Sequence, residues 1–112
     1  MHPLTTFATL SLVAVLLHST QASAATDEFR LVVQGHVFQP PEIVIPADTR
    51  VKLVVENRDS TPEEFDSYAL NREKVIAGKS AATIYIGPLR PGRYPFIGEF
   101  HADSAKGAVV AK

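Results

Sequence analysis

From residue 29 onward, apolar side chains recur at every second position in short runs broken by Gly, Pro, Asn and Asp. Val51, Leu53 and Val55 point one way while Lys52, Val54 and Glu56 point the other, the two-residue period of a strand with one buried face. Phe29 to Gln34, the pair Val37-Phe38, Glu42 to Ile45, Lys74-Val75-Ile76 and Ala82 to Ile86 read the same way. Gly35, Pro40-Pro41, Pro46-Ala47-Asp48, Asn57 to Pro62, Ala77-Gly78-Lys79 and Pro88 to Gly92 supply bends and turns between them. Glu63 to Tyr68 is an extended segment with Phe65 inward, and Leu70 to Glu73 is a turn. Tyr94 to Ile97 is a strand in which Pro95, lacking an N–H, argues for a sheet edge or a bulge. Short strands at this spacing, with no helical period, predict an all-β fold: an antiparallel Greek-key β-sandwich of one domain, with Leu53, Val55, Phe65, Ile84 and Phe96 in its core.

The N-terminus departs from this pattern. Phe7 to Leu17 is an apolar run too short for the roughly 20 residues that cross a bilayer. Ala22-Ser23-Ala24 follows as a small-residue cleavage site. Residues 1–24 therefore read as a secretory signal peptide and 25–112 as the folded domain, which places the protein in the periplasm without stable membrane insertion. The rival reading, a buried core helix, lacks an amphipathic period.

Every Asp, Glu, Lys and Arg lies after residue 24, so the formal net charge of -1 belongs to the domain. No basic stripe is present for nucleic acid and no polybasic cluster for anionic lipid. Without a single Cys, disulfides cannot staple an exported domain of this size, and stability rests on its core. There is also no cysteine nucleophile, Ser–His–Asp order or Gly-rich phosphate loop, so metal redox is the one enzymatic chemistry left open.

Two histidines follow residue 24, His36 and His101. His101 closes the stretch Gly92-Arg93-Tyr94-Pro95-Phe96-Ile97-Gly98-Glu99-Phe100-His101. That stretch resembles the C-terminal signature of the cupredoxins, in which a G-x-Y-x-F strand delivers a copper-binding Cys, a His three residues on and a Met about five beyond. Here Gly98 stands at the Cys position and Lys106 near the Met position. The family's other histidine sits in an N-x-D-x-x-P-H-N-F pattern, and Asn57-Arg58-Asp59-Ser60-Thr61-Pro62-Glu63-Glu64-Phe65 matches it with Glu63 in place of the His. Between Phe38 and Val110 the wording is also similar to small cupredoxin-like proteins and domains linked to bacterial periplasmic iron uptake.

A blue-copper centre needs a thiolate, and this chain has none. The resemblance implies instead a metal site of oxygen and nitrogen donors drawn from His36, Glu63, Glu64, Glu99 and His101, because in this fold the loops before Phe65 and after Phe96 meet at one end. Such donors suit a copper ion as Cu(II), with iron or manganese as alternatives and Zn also compatible. The bland reading is that Glu63-Glu64 and Glu99 are solvated strand ends, and that Lys106 is an ordinary surface lysine rather than a counter-charge to the acids. Three functions stay open: metal handling in iron or copper uptake beside an inner-membrane permease or another periplasmic uptake component, copper-dependent oxidation of ferrous iron for that permease, and a metal-free interaction module.

Overall fold

A computed structural model of the chain describes residues 1–5, 8–17 and 26–112. The Ala22-Ser23-Ala24 cleavage site lies outside the described residues, and residues 8–17 form neither helix nor strand. Among the described residues no helix is long and apolar enough to cross a membrane.

The described residues form nine strands: β1 Glu28–Gln34, β2 Val37–Gln39, β3 Glu42–Ile45, β4 Val51–Asn57, β5 Glu63–Ser67, β6 Arg72–Ile76, β7 Ser80–Ile86, β8 Gly92–Gly98 and β9 Lys106–Ala111. A 3₁₀ turn, Glu99–His101, links β8 to the loop before β9. The strands form two sheets, ordered β2-β1-β4-β7 and β3-β9-β8-β5-β6. The fold is thus an all-β sandwich, but its sheets are mixed rather than purely antiparallel. β1 runs parallel to β4, with Leu31 opposite Val55, and β3 runs parallel to β9, with Ile43 opposite Val109. Alternation tells which face of a strand is buried and is silent on which neighbour it pairs with, so the parallel pairs left no mark in the pattern.

The inner faces meet around Phe38, Phe65 and Phe96, each at most 2% exposed. Phe38 stands edge-on to Phe96 with ring centroids 5.2 Å apart, and Phe65 tilts against Phe96 at 4.9 Å. Edge-to-face and offset contacts of this kind add to the burial of large aromatic areas. Leu53, Val55 and Ile84 are buried with them, as the alternation predicts.

Two details differ from the sequence reading. β6 begins at Arg72, because Ser67 and Arg72 pair across a tight turn in which Asn71 takes a positive φ of 53°. Its first four residues are exposed on both faces, so no alternation announced them. Pro95 lies in β8, which is flanked on both sides rather than at an edge. The sheet tolerates it because the β5–β8 ladder reaches only Phe65–Gly98 and Asp66–Ile97, and beyond it the Ser67 hydroxyl donates to the Pro95 carbonyl at 2.7 Å.

Candidate metal site

At one end of the sandwich the β1–β2 turn, the β4–β5 loop and the segment after β8 converge. β1 and β2 are joined by Gly35 and His36, with φ of 61° and 58°. Two successive positive φ values make the tight hairpin whose twist suits paired strands, and for a residue with a Cβ that conformation costs roughly 1–2 kcal/mol. Asp59 holds it in place. One carboxylate oxygen accepts the Gly35 N–H at 2.7 Å and the other accepts the His36 N–H at 3.0 Å. These two bonds, that from His36 foremost, hold the Asp59 carboxyl below its ordinary pKa. From the other side the Ser104 hydroxyl donates to the His36 carbonyl at 2.6 Å.

The loop that carries Asp59 is organised by Asn57 at the end of β4. Buried to 1% exposure, its amide donates to the carbonyls of Thr61 at 2.8 Å and Ile76 at 3.1 Å, and its oxygen accepts the Asp59 N–H at 3.0 Å. That anchoring delivers β5 with Glu63 at its first position. Alternation along β5 turns Glu63, Phe65 and Ser67 inward and leaves Glu64 and Asp66 on the outer face.

Among the described residues Glu63 is the one ionisable side chain of the buried polar set, at 2% exposure. Its Oε1 accepts the backbone N–H groups of Glu64 and Phe100, both at 3.0 Å, and its Oε2 meets His101 Nδ1 at 2.6 Å. A buried carboxylate is tolerated only when satisfied in this way. His101 sits in the 3₁₀ turn that leaves β8, and its carbonyl accepts the Ala105 N–H at 2.8 Å. Its ring is 28% exposed and lies flat on that of His36, with centroids 3.5 Å apart and planes within 10°.

His36, Glu63 and His101 therefore come together, whereas Glu64 and Glu99 do not join them. Glu99 stands with Asp66 and the more distant Glu64 and Glu73 on the outer side of the second sheet. Its carboxyl is pushed above the ordinary carboxylate pKa, first by a hydrogen bond with the Asp66 carboxyl and then by the Asp66 charge. Lys106 is exposed at the start of β9, and its neighbour Ala105, fully buried, packs against Gly98 together with Glu63. Among the described residues no group of three or more His, Cys, Asp or Glu side chains converges on a point fit for a metal ion. The donor set excludes a blue-copper centre, since no thiolate exists and the space beside Gly98 holds the Glu63 carboxylate. Imidazole nitrogen and carboxylate oxygen are donors that a borderline cation takes, but here both Glu63 oxygens are engaged in hydrogen bonds and the two imidazoles are stacked on one another.

Two supports of this site carry little sequence signal. Ser104 is one serine in a polar loop. Asp59 belongs to the Asn57–Phe65 motif, but its bonds to Gly35 and His36 join residues far apart in the chain.

A family profile described as Cupredoxin-like domain matches residues 7–111. An uncharacterized protein of Rickettsia prowazekii (strain Madrid E) is 36% identical over 83 residues, which are 74% of this chain. The match spans 66% of that protein's length, slightly under two thirds. Among solved structures, auracyanin A, a "blue" copper protein from Chloroflexus aurantiacus, superposes with a TM-score of 0.67 at 12% identity, covering 79% of this chain and 100% of its own. A copper binding protein in its apo form superposes with a TM-score of 0.69 at 17% identity, covering 82% and 93%.

Proposed function

Since the chain belongs to the cupredoxin-like domain family, we propose that it is an exported metal-binding protein working in periplasmic iron or copper handling, with a site of oxygen and nitrogen donors in place of the blue-copper centre. The observation that carries this reading is the meeting of His36, Glu63 and His101 at one end of the sandwich. The copper proteins to which the fold is similar, auracyanin A among them, support copper as the first ion to try. Imidazole and carboxylate donors favour Cu(II) over Cu(I), and they also admit iron, manganese or zinc.

His101 and His36 would hold the ion, with Glu63 supplying negative charge beside them. The metal would contribute a site for holding or exchanging the ion itself. The chain's own residues set the geometry: Asp59 and Ser104 clamp His36, and the Glu64 and Phe100 amides clamp Glu63. An inner-membrane permease is the natural recipient of an ion carried in the periplasm. Calorimetric titration of the purified protein with Cu(II), Fe(II), Mn(II) and Zn(II) tests the reading, and heat of binding for at least one ion is expected. Silence with all four would leave a metal-free interaction module. Cell fractionation with N-terminal sequencing tests export, with a mature chain beginning after Ala24 expected.

A further inference from the structure

We propose that the cleft on the outer face of the first sheet, where Arg30, Arg58 and Lys79 converge, binds a small di- or tricarboxylate anion. The inference stands apart from the metal-binding reading and uses none of its candidate ligands.

The cleft lies toward the ends of β1 and β4 and the start of β7, and its volume is about 480 Å³, within the range of small-molecule sites. Arg30, Gln34, Glu56, Arg58, Lys79 and Ser80 line it. Three cations thus meet one carboxylate there, in a chain whose formal net charge is -1. The other Lys and Arg ion pairs among the described residues are one to one, as in Lys52 with Glu28 at 3.3 Å and Arg93 with Glu42. Glu56 is instead shared. Arg58 reaches it through Nε at 3.2 Å and Nη2 at 3.3 Å, and Arg30 through Nη2 at 3.6 Å. Among the described residues Lys79 pairs with no carboxylate, and its ammonium donates to the Arg58 carbonyl. Asp59 attracts Lys79 from farther off, but its two oxygens are taken by the Gly35 and His36 N–H groups.

The backbone that carries these cations is fixed before any ligand arrives. Arg58 donates its N–H to the Val33 carbonyl at 2.9 Å, and Lys79 donates its own to the Asp59 carbonyl at 2.8 Å. Lys79 holds a φ of 55°, a conformation unfavourable for a residue with a Cβ. Its neighbour Gly78 lies so close to the β4–β5 loop that a Cβ there would stand 2.1 Å from the Ser60 carbonyl oxygen. Cations placed in advance reduce the ordering cost of binding.

The lining chemistry selects carboxylates. A guanidinium is a planar fork that matches the two oxygens of a carboxylate, and Glu56 shows two such forks reaching one carboxylate. Its contacts of 3.2 to 3.6 Å are long for charge-assisted bonds, which run at about 2.7–2.9 Å. Each guanidinium therefore keeps most of its N–H donors for an added anion. Three cations against one acid leave two positive charges to balance, which asks for at least a dianion.

The test is amide NMR of the ¹⁵N-labelled full chain, titrated with propane-1,2,3-tricarboxylate at low ionic strength in buffer stripped of metal ions, so that the probe cannot act as a chelator. Saturable shifts are expected at Arg30, Gln34, Glu56, Arg58 and Lys79 to Ala81, weakening as salt screens the charges. Arg30→Gln and Lys79→Gln should each weaken binding about 3–5-fold, the range of an exposed charge pair. Arg93→Gln removes the same charge from the other sheet and should leave the affinity unchanged. No saturable shift, shifts centred elsewhere, unchanged affinity in either cleft variant or an equal loss in Arg93→Gln would each overturn the site. Inorganic phosphate binding as tightly as the tricarboxylate would overturn the assignment to carboxylates.

Discussion

The Glu63 carboxylate fills the space that a side chain at position 98 would enter. A Cβ on Gly98 would stand 2.7 Å from Glu63 Cδ, 2.9 Å from its Oε1 and 2.7 Å from the Ala105 Cβ. The absence of a side chain at 98 and the presence of an inward acid at 63 are thus two halves of one arrangement. A family member with Cys at this place needs room that this chain has given to a carboxylate.

Gly98→Ala should therefore cost about 1–3 kcal/mol, the range for overpacking a filled interior. Glu63→Ala opens part of that space, so the double variant should lose less stability than the sum of the singles. Chemical denaturation of the three proteins measures it. Full additivity would mean that the two positions do not compete for the same volume.

Phe96→Ala removes the ring that touches both Phe38 and Phe65. A loss of about 3–5 kcal/mol is expected, a large share of the roughly 5–15 kcal/mol that holds a typical domain folded. Thermal melting of the variant close to the wild type would mean that these rings do not form the centre of the core.

Asp59 and Glu99 give opposite pH signatures. The folded pKa of Asp59 lies below its ordinary 3.8, so its stabilisation is present above that value and fades as pH falls through the lower folded pKa. Asp59→Asn should be less stable than the wild type at neutral pH, with the gap closing in strong acid. Glu99 has a folded pKa above its ordinary 4.5, so its contribution is present below that value and is lost as pH rises through the folded pKa. Glu99→Gln should gain stability at neutral pH by relieving repulsion from Asp66 and should lose that advantage near pH 4. Denaturation curves across the acid range decide both signs.

Much of this was legible in the chain, for physical reasons that differ by element. β4 announced itself because one face is buried and the other is not, and the same parity along β5 separates Glu63, which shares the side of Phe65, from outward Glu64. β6 did not, because Arg72, Glu73, Lys74 and Val75 are all exposed. Pro95 suggested an edge, since a missing N–H is normally fatal inside a sheet, and no sequence rule shows that the β5–β8 ladder stops short of it. For the site, the resemblance pointed to His36, Glu63, Glu64, Glu99 and His101 alike, without separating the first, second and last, which meet, from Glu64 and Glu99, which do not; the flat stacking of the two rings and the Ser104 bond depend on backbone positions that only the fold sets.

Loaded with Cu(II), the protein should be pale and should show a tetragonal signal by electron paramagnetic resonance, because no thiolate is present to give intense charge transfer. A strong blue absorption band would contradict the oxygen and nitrogen donor set.

The central claim is that metal binding depends on His101, with Glu63 hydrogen-bonded to its ring, and a calorimetric cycle with Cu(II) tests it most directly. His101→Ala should abolish or severely weaken binding, and Glu63→Gln should weaken it about 10–100-fold. The double variant should be no worse than His101→Ala alone, because the acid acts through the histidine and has nothing left to act on once the ring is gone. Wild-type affinity in all three variants would contradict the account and leave the Glu63–His101 pair as a purely structural contact.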